Sequence, residues 1–98
     1  MKQLLIRADD LGYSYAVNLG IVRSVKEGLV RSVGLMPNMP EAARGWEWLA
    51  GTDIAIGQHT NLCLGMPCAD PTLIPSLLDG RGQLKSSRTY RDAYKRGE

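Results

Sequence analysis

Residues 2–14 read KQLLIRADDLGYS, and the fold turns on this stretch. An apolar run of strand length, KQLLIRA, gives way to Asp-Asp-Leu-Gly, whose aspartates and glycine are turn formers. Ser14 then stands where a helix N-cap belongs, ahead of YAVNLGIVRSVKEG. Within that segment Val17, Ile21 and Val25 recur four apart with Val22 beside them, which makes one apolar stripe along a helix. Gly28 suits the position just past the helix end, and Lys26 suits the negative end of its dipole. The stretch therefore opens a strand–turn–helix unit.

The same order repeats downstream. VRSVGLMP reads as a second strand closed by Pro37. Asn38 is expected to cap a second helix over MPEAARGWEWLAG, with Pro40 in its first turn, Gly51 past its end, and Ala43, Trp46 and Leu49 on its buried face. DIAIGQHTNLCLG reads as a third strand, apolar where it starts and polar where it stops. Strands alternating with helices across short connections imply parallel strands joined by crossover helices, an α/β fold. Beyond Gly65 the pattern loosens into a long loop rich in proline and glycine. TYRDAYKRGE then begins a helical pattern that reaches Glu98 with no terminator of its own.

Composition narrows the function classes. The 98 residues are 44% hydrophobic and 22% charged, ordinary for a globular chain, and the absence of Phe makes the core aliphatic. No apolar run approaches the roughly 20 residues that span a bilayer. The N-terminal Leu4-Leu5-Ile6 is too short for a secretory signal and is interrupted by Arg7. The expected setting is cytoplasmic, with no membrane partner. Charge is uneven: six Lys/Arg face eight Asp/Glu up to residue 80, and six face two from residue 81 onward. The basic excess belongs to the C-terminal segment, where Arg88, Arg91 and Lys95 share one wet helix face, so no nucleic-acid partner is expected. Cys63 and Cys68 are expected as free thiols, because His59-x3-Cys63-x4-Cys68 matches no tight zinc spacing and lacks a fourth donor.

Ligands of parallel α/β folds gather at the carboxyl ends of the strands. Asp9 and Asp10 fall at the end of the first strand. His59, the only histidine, falls at the end of the third, followed by Thr60 and Asn61. Neighbouring strand residues point to opposite faces, so both aspartates serve one site only if the strand bends, and Leu11-Gly12 is the expected bend. Two such carboxylates divide their labour when one holds a cation and the other accepts a proton from water. A neutral imidazole is a natural companion ligand. Read from the residues alone, a turn whose aspartates cap backbone amides competes with this. Asn18 and Gly20 are expected to serve packing and close approach to the sheet, and Trp46 and Trp48 to pack rather than to stack on a sugar.

The segments ADDLGYSYAVNLGI, GLVRSVGLMPNMP and IGQHTNLCLGMP resemble successive motifs of the YdjC-like carbohydrate deacetylases, the group that includes chitooligosaccharide deacetylases. Ala8 to Gly12 match Ala-Asp-Asp-x-Gly, Val17 to Ile21 match Val-Asn-x-Gly-Ile, Ser32 to Met36 match Ser-x-x-x-Met, and Gly57 to Leu62 match Gly-x-His-x-Asn-Leu. The resemblance implies a deformed (β/α) barrel, of which residues 1–98 would be the N-terminal strand–helix–strand–helix–strand part of a single domain. It implies metal-dependent removal of acetyl groups from N-acetylated sugars, with Asp9 as general base, Asp10 and His59 as ligands of Mg²⁺ or Zn²⁺, and Thr60 and Asn61 near the substrate. The family completes its metal site with a later histidine, which this sequence lacks. A barrel of this kind needs about 250 residues, so the chain is expected to be the N-terminal part of a longer enzyme or a natural truncation, to be an oligomer or to lack a C-terminal part, and to be inactive by itself. Two alternatives stand beside this: a non-catalytic module that assembles through its open sheet edge, and a metal-dependent phosphoesterase.

Overall fold

The computed structural model describes residues 1–98, in two compact units, Met1–Thr60 and Asn61–Glu98. The first unit carries β1 (Ile6–Leu11), α1 (Tyr15–Lys26), β2 (Val30–Leu35), α2 (Ala42–Leu49) and β3 (Ala55–Gln58). The strands form one parallel sheet in the order β1-β2-β3. The expected α/β order of strands and helices is therefore present. Because the strand order never reverses, right-handed crossovers place both helices on the same side of the sheet. That side is the core: Val33 and Leu11 are fully buried, and Ile21, Val22, Val25, Val30 and Leu49 pack with them. The opposite side carries the alternate residues, among them Arg7, Asp9, Ser32, Gly34 and Gly57.

Several local expectations are met. Ser14 caps α1, its Oγ accepting from the Val17 N–H at 3.2 Å. The buried stripe Ile21, Val22 and Val25 is the one read from the sequence. The boundaries of β1, α2 and β3 differ; β3 stops at Gln58, so the expected strand does not run on through His59 to Gly65. β1 starts later and runs through both aspartates to Leu11, so Asp9 and Asp10 are strand residues rather than a turn after it. Asn38 is not the cap of α2. That helix starts at Ala42, after Glu41, whose N–H donates to the Gly12 carbonyl at 3.2 Å. Its buried face is Ala42, Gly45 and Leu49, while Ala43 and Trp46 are exposed. Gly45 is buried because a Cβ there would meet Leu11 at 2.8 Å; the helix touches the strand through this glycine.

In the second unit, Pro71–Leu73 and Pro75–Leu77 form single tight helical turns, and α3 (Ser87–Lys95) follows, capped by Ser86. The helix does carry its own terminator. Gly97 adopts φ 77° and donates to the Tyr94 carbonyl, while the Glu98 N–H donates to the Ala93 carbonyl. This pair of bonds is the Schellman stop. α3 buries no residue, in keeping with a solvated basic face, and Arg88 pairs loosely with Asp92 at 3.8 Å. Cys63 and Cys68 are free and exposed.

Candidate active site at the strand ends

The two adjacent aspartates reach one site through a bulge. Ala8 pairs with Val33 and Leu11 with Leu35, three steps on β1 against two on β2, so one residue is extra. The extra turn is taken at Asp10, whose φ is 73°. Aspartate is among the few non-glycine residues that tolerate this left-handed region. The bend therefore lies at Asp10 itself, one position before the expected Leu11-Gly12. Leu11 is back in register and buried in the core, which anchors the bulge from below.

Behind the bulge, Gly12 and Asn18 fix the strand end. The fully buried Asn18 accepts the Gly12 N–H through Oδ1 at 2.7 Å and donates Nδ2 to the Glu41 carbonyl at 2.9 Å. One side chain on α1 thus ties the end of β1 to the start of α2. Gly12 has φ 100°, and a Cβ there would meet the Ala42 backbone at 2.9 Å. By contrast, Gly20 is exposed with open space around its Cβ position, so the expected close approach to the sheet does not occur there.

His59 follows β3 directly. Its N–H donates to the Leu35 carbonyl at 2.7 Å, which extends the β2–β3 ladder and holds the imidazole level with the aspartates. Nδ1 lies 3.2 Å from Asp10 Oδ1 and 3.9 Å from Asp9 Oδ1. That nitrogen is buried and makes no hydrogen bond, a costly condition for a polar atom unless something else satisfies it. Asp9 is held from its other side: the Arg7 Nε–H donates to Asp9 Oδ1 at 2.8 Å, and Arg7 Nη1 donates to Ser32 Oγ at 3.2 Å. These side chains cross β2 at Gly34. A Cβ there would run into Asp9 Oδ1, would meet Arg7 Nη2 at 2.6 Å, and would lie 3.3 Å from His59 Cβ. Gly34 is the gap in which the cluster converges.

The structure thus brings Asp9, Asp10 and His59 together from the ends of β1 and β3, as the sequence suggested. Thr60 is exposed next to His59. Asn61 belongs to the second unit, where its amide is engaged locally: Nδ2 donates to the Leu64 carbonyl at 2.7 Å and Oδ1 accepts the Cys63 N–H at 3.1 Å. Sequence reasoning missed Arg7, Ser32 and Gly34 as members of the cluster. Their signal was period two: Arg7 and Asp9, then Ser32 and Gly34, each share a strand face.

The donor chemistry suits a divalent cation in part. Asp10 offers a carboxylate oxygen and His59 an imidazole nitrogen without a hydrogen-bond partner, a mixed pair that both Mg²⁺ and Zn²⁺ accept. No three His, Cys, Asp or Glu side chains converge on a metal-sized point. The fit is that of two ligands with further positions open.

A parallel α/β sheet with a carboxylate–imidazole cluster at its strand ends has that cluster where parallel α/β folds bind ligands. Comparison with known proteins gives the family: residues 3–98 match the YdjC-like protein family, and the chain belongs to that family. It is 37% identical over 86 residues to a carbohydrate deacetylase of Thermoanaerobacter pseudethanolicus, covering 87% of this chain and 34% of that protein. It is 33% identical over 84 residues to a chitooligosaccharide deacetylase of Yersinia pestis, covering 85% and 32%. The fold matches the crystal structure of an Enterococcus faecalis protein proposed to cleave cellobiose phosphate, with TM-score 0.82 and 32% identity over 90% of this chain and 35% of that one. The chain spans about a third of the length of these relatives.

Proposed function

We propose that the chain supplies the catalytic half-site of a metal-dependent hydrolase that removes acetyl groups from N-acetylated sugars. The observation that carries the reading is the buried His59 Nδ1, without a hydrogen bond, turned toward the carboxylates of Asp10 and Asp9. The names of the relatives support the substrate class. Asp10 and His59 would hold the cation, and Mg²⁺ and Zn²⁺ both fit. When bound, such a cation polarises the amide carbonyl and acidifies water.

The chain's own residues do the rest. Asp9 takes a proton from water as its oxygen adds to the acetyl carbon. The C–N bond then breaks, acetate departs, and the proton passes to the amine that remains on the sugar. Asp9 is suited to this by its place 3.9 Å from His59 Nδ1, beside the ligands rather than among them. Thr60, exposed beside His59, would offer its hydroxyl to the sugar, and Asn61 would offer its side-chain amide. The protein acts in the cytoplasm, and the remaining metal ligands come from further polypeptide or from a second copy.

The test is acetate release from N-acetylated chitooligosaccharides by the longest natural polypeptide that contains these residues, with and without added Mg²⁺ or Zn²⁺. Metal-dependent release that His59→Ala abolishes is expected. Release unchanged in His59→Ala, or unaffected by chelation, contradicts the reading.

A further inference from the structure

We infer that Arg7 is the positioning residue that decides which of the two adjacent carboxylates stays out of the cation site. The inference rests on the proposed reading of Asp9, Asp10 and His59 and goes further, because that reading takes the longer distance of Asp9 from His59 as given and does not say what holds Asp9 there. Both carboxylates lie near the same imidazole nitrogen, at 3.9 and 3.2 Å. They are chemically identical and about equally exposed, at 50% and 53%. Only Asp9 has a cation on its far side. Arg7 donates Nε–H to Asp9 Oδ1 at 2.8 Å and Nη1–H to the buried Ser32 Oγ at 3.2 Å.

An exposed ion pair contributes little when both side chains move freely. Here the guanidinium is seated. Nη2 lies 2.6 Å from the place a Gly34 Cβ would occupy, and Nη1 lies 3.6 Å from the corresponding place at Gly57. Glycines on two neighbouring strands leave a shelf for a flat group, and Ser32 fixes its rotation. The planar fork of arginine fills that shelf and meets the carboxylate through fixed donors, which the point charge of a lysine does not reproduce. Asp9 is thereby held by its Oδ1 on the Arg7 side, and Asp10 is left facing His59.

Two measurements test this. By NMR, the Arg7 Nε–H resonance should be protected from exchange and should shift in Asp9→Asn. A resonance at the free-arginine position that Asp9→Asn does not move overturns the inference, whether or not the chain binds metal or hydrolyses anything. The second is a Zn²⁺ titration of wild type, Arg7→Gln, Asp9→Asn and the double variant. Freed from Arg7, Asp9 joins Asp10 and His59, so Arg7→Gln should bind Zn²⁺ about tenfold more tightly, the scale on which groups behind metal ligands act. It should also release acetate about 10–100-fold more slowly. A merely structural role would weaken both. In the Asp9→Asn background the gain should vanish; a gain that persists there reflects charge removal alone and overturns the inference. Should Arg7→Gln fail to fold, Ser32→Ala is expected to give a smaller gain of the same sign, and unchanged or weaker binding counts against the inference. Failure of the hydrolase reading looks different: wild type then releases no acetate and does not bind Zn²⁺ through His59, while the Arg7 resonance still responds to Asp9→Asn.

Discussion

Asn18 makes the clearest case of one side chain placing others. It is completely buried and makes bonds at both ends of its amide, to Gly12 and to the Glu41 carbonyl. Asn18→Ala leaves the buried Gly12 N–H without its partner, at a cost of about 1–3 kcal/mol, while the Glu41 carbonyl keeps the Gly45 N–H. The chain is expected to lose stability on that scale in urea unfolding, and the amide resonances of Gly12 and Glu41 are expected to move. A loss within a few tenths of a kcal/mol would mean that the clamp does not form. Gly34→Ala acts on the other face. Its Cβ runs into Asp9 and Arg7, so the Arg7–Asp9 pair must shift, and acetate release should fall even where the fold survives. Wild-type release from Gly34→Ala would show that the cluster needs no such gap. In the sequence Asn18 was legible as a packing residue, because a polar residue sits on an otherwise apolar helical stripe. Arg7 was not legible, since a charged residue before an Asp pair reads as solvated until the strand's alternation is set beside that of its neighbour.

At the scale of elements, the order of strands and helices was readable because periodicity and caps are local signals. Ser14 is followed by the stripe Val17, Ile21 and Val25, and the helix forms where that pattern says. The start of α2 was not readable. It is set by bonds from Glu41 to Gly12 and from Asn18 to Glu41, partners far apart in sequence, and these override the local claim of Asn38. The bulge at Asp10 was half legible: two adjacent aspartates that reach one cluster demand a bend, but which residue takes the positive φ depends on where Leu11 must be buried. The loop that Asp79 organises carries a pH prediction. Asp79 Oδ1 accepts the Arg81 N–H at 2.8 Å and the Gln83 N–H at 3.1 Å. These bonds, led by the one from Arg81, lower the Asp79 carboxyl below the ordinary carboxylate range. A group whose folded pKa is depressed stabilises the fold above its unfolded pKa, and that contribution disappears as pH falls through the folded value. The Arg81 and Gln83 amide resonances should therefore hold steady down to about pH 4 and move together below it. Movement already complete above pH 4 would contradict the assignment.

At the scale of the whole chain, the sheet has one strand paired on both sides and two paired on one. β2 lies between β1 and β3, and its Val33 is wholly buried. Its amides are expected to exchange most slowly in the sheet, and those of β3, whose residues are exposed or half-buried, most rapidly. A β3 as protected as β2 would mean that its outer edge is paired in solution, as the non-catalytic assembly reading holds. The fold class was legible at this scale because alternation alone implies parallel strands. The division into Met1–Thr60 and Asn61–Glu98 was not, because the break falls just after His59, inside what reads as one continuous motif.

The central claim is that His59 and Asp10 form one side of a cation site. The most direct measurement is the ¹⁵N resonance of His59 Nδ1 during titration with Zn²⁺, in wild type and in Asp10→Asn, which keeps a residue tolerant of the left-handed backbone at that position. The account predicts a saturable shift of Nδ1 in wild type and its loss or strong weakening in Asp10→Asn. A resonance that Zn²⁺ leaves unmoved in wild type, or that shifts equally in both proteins, would contradict it.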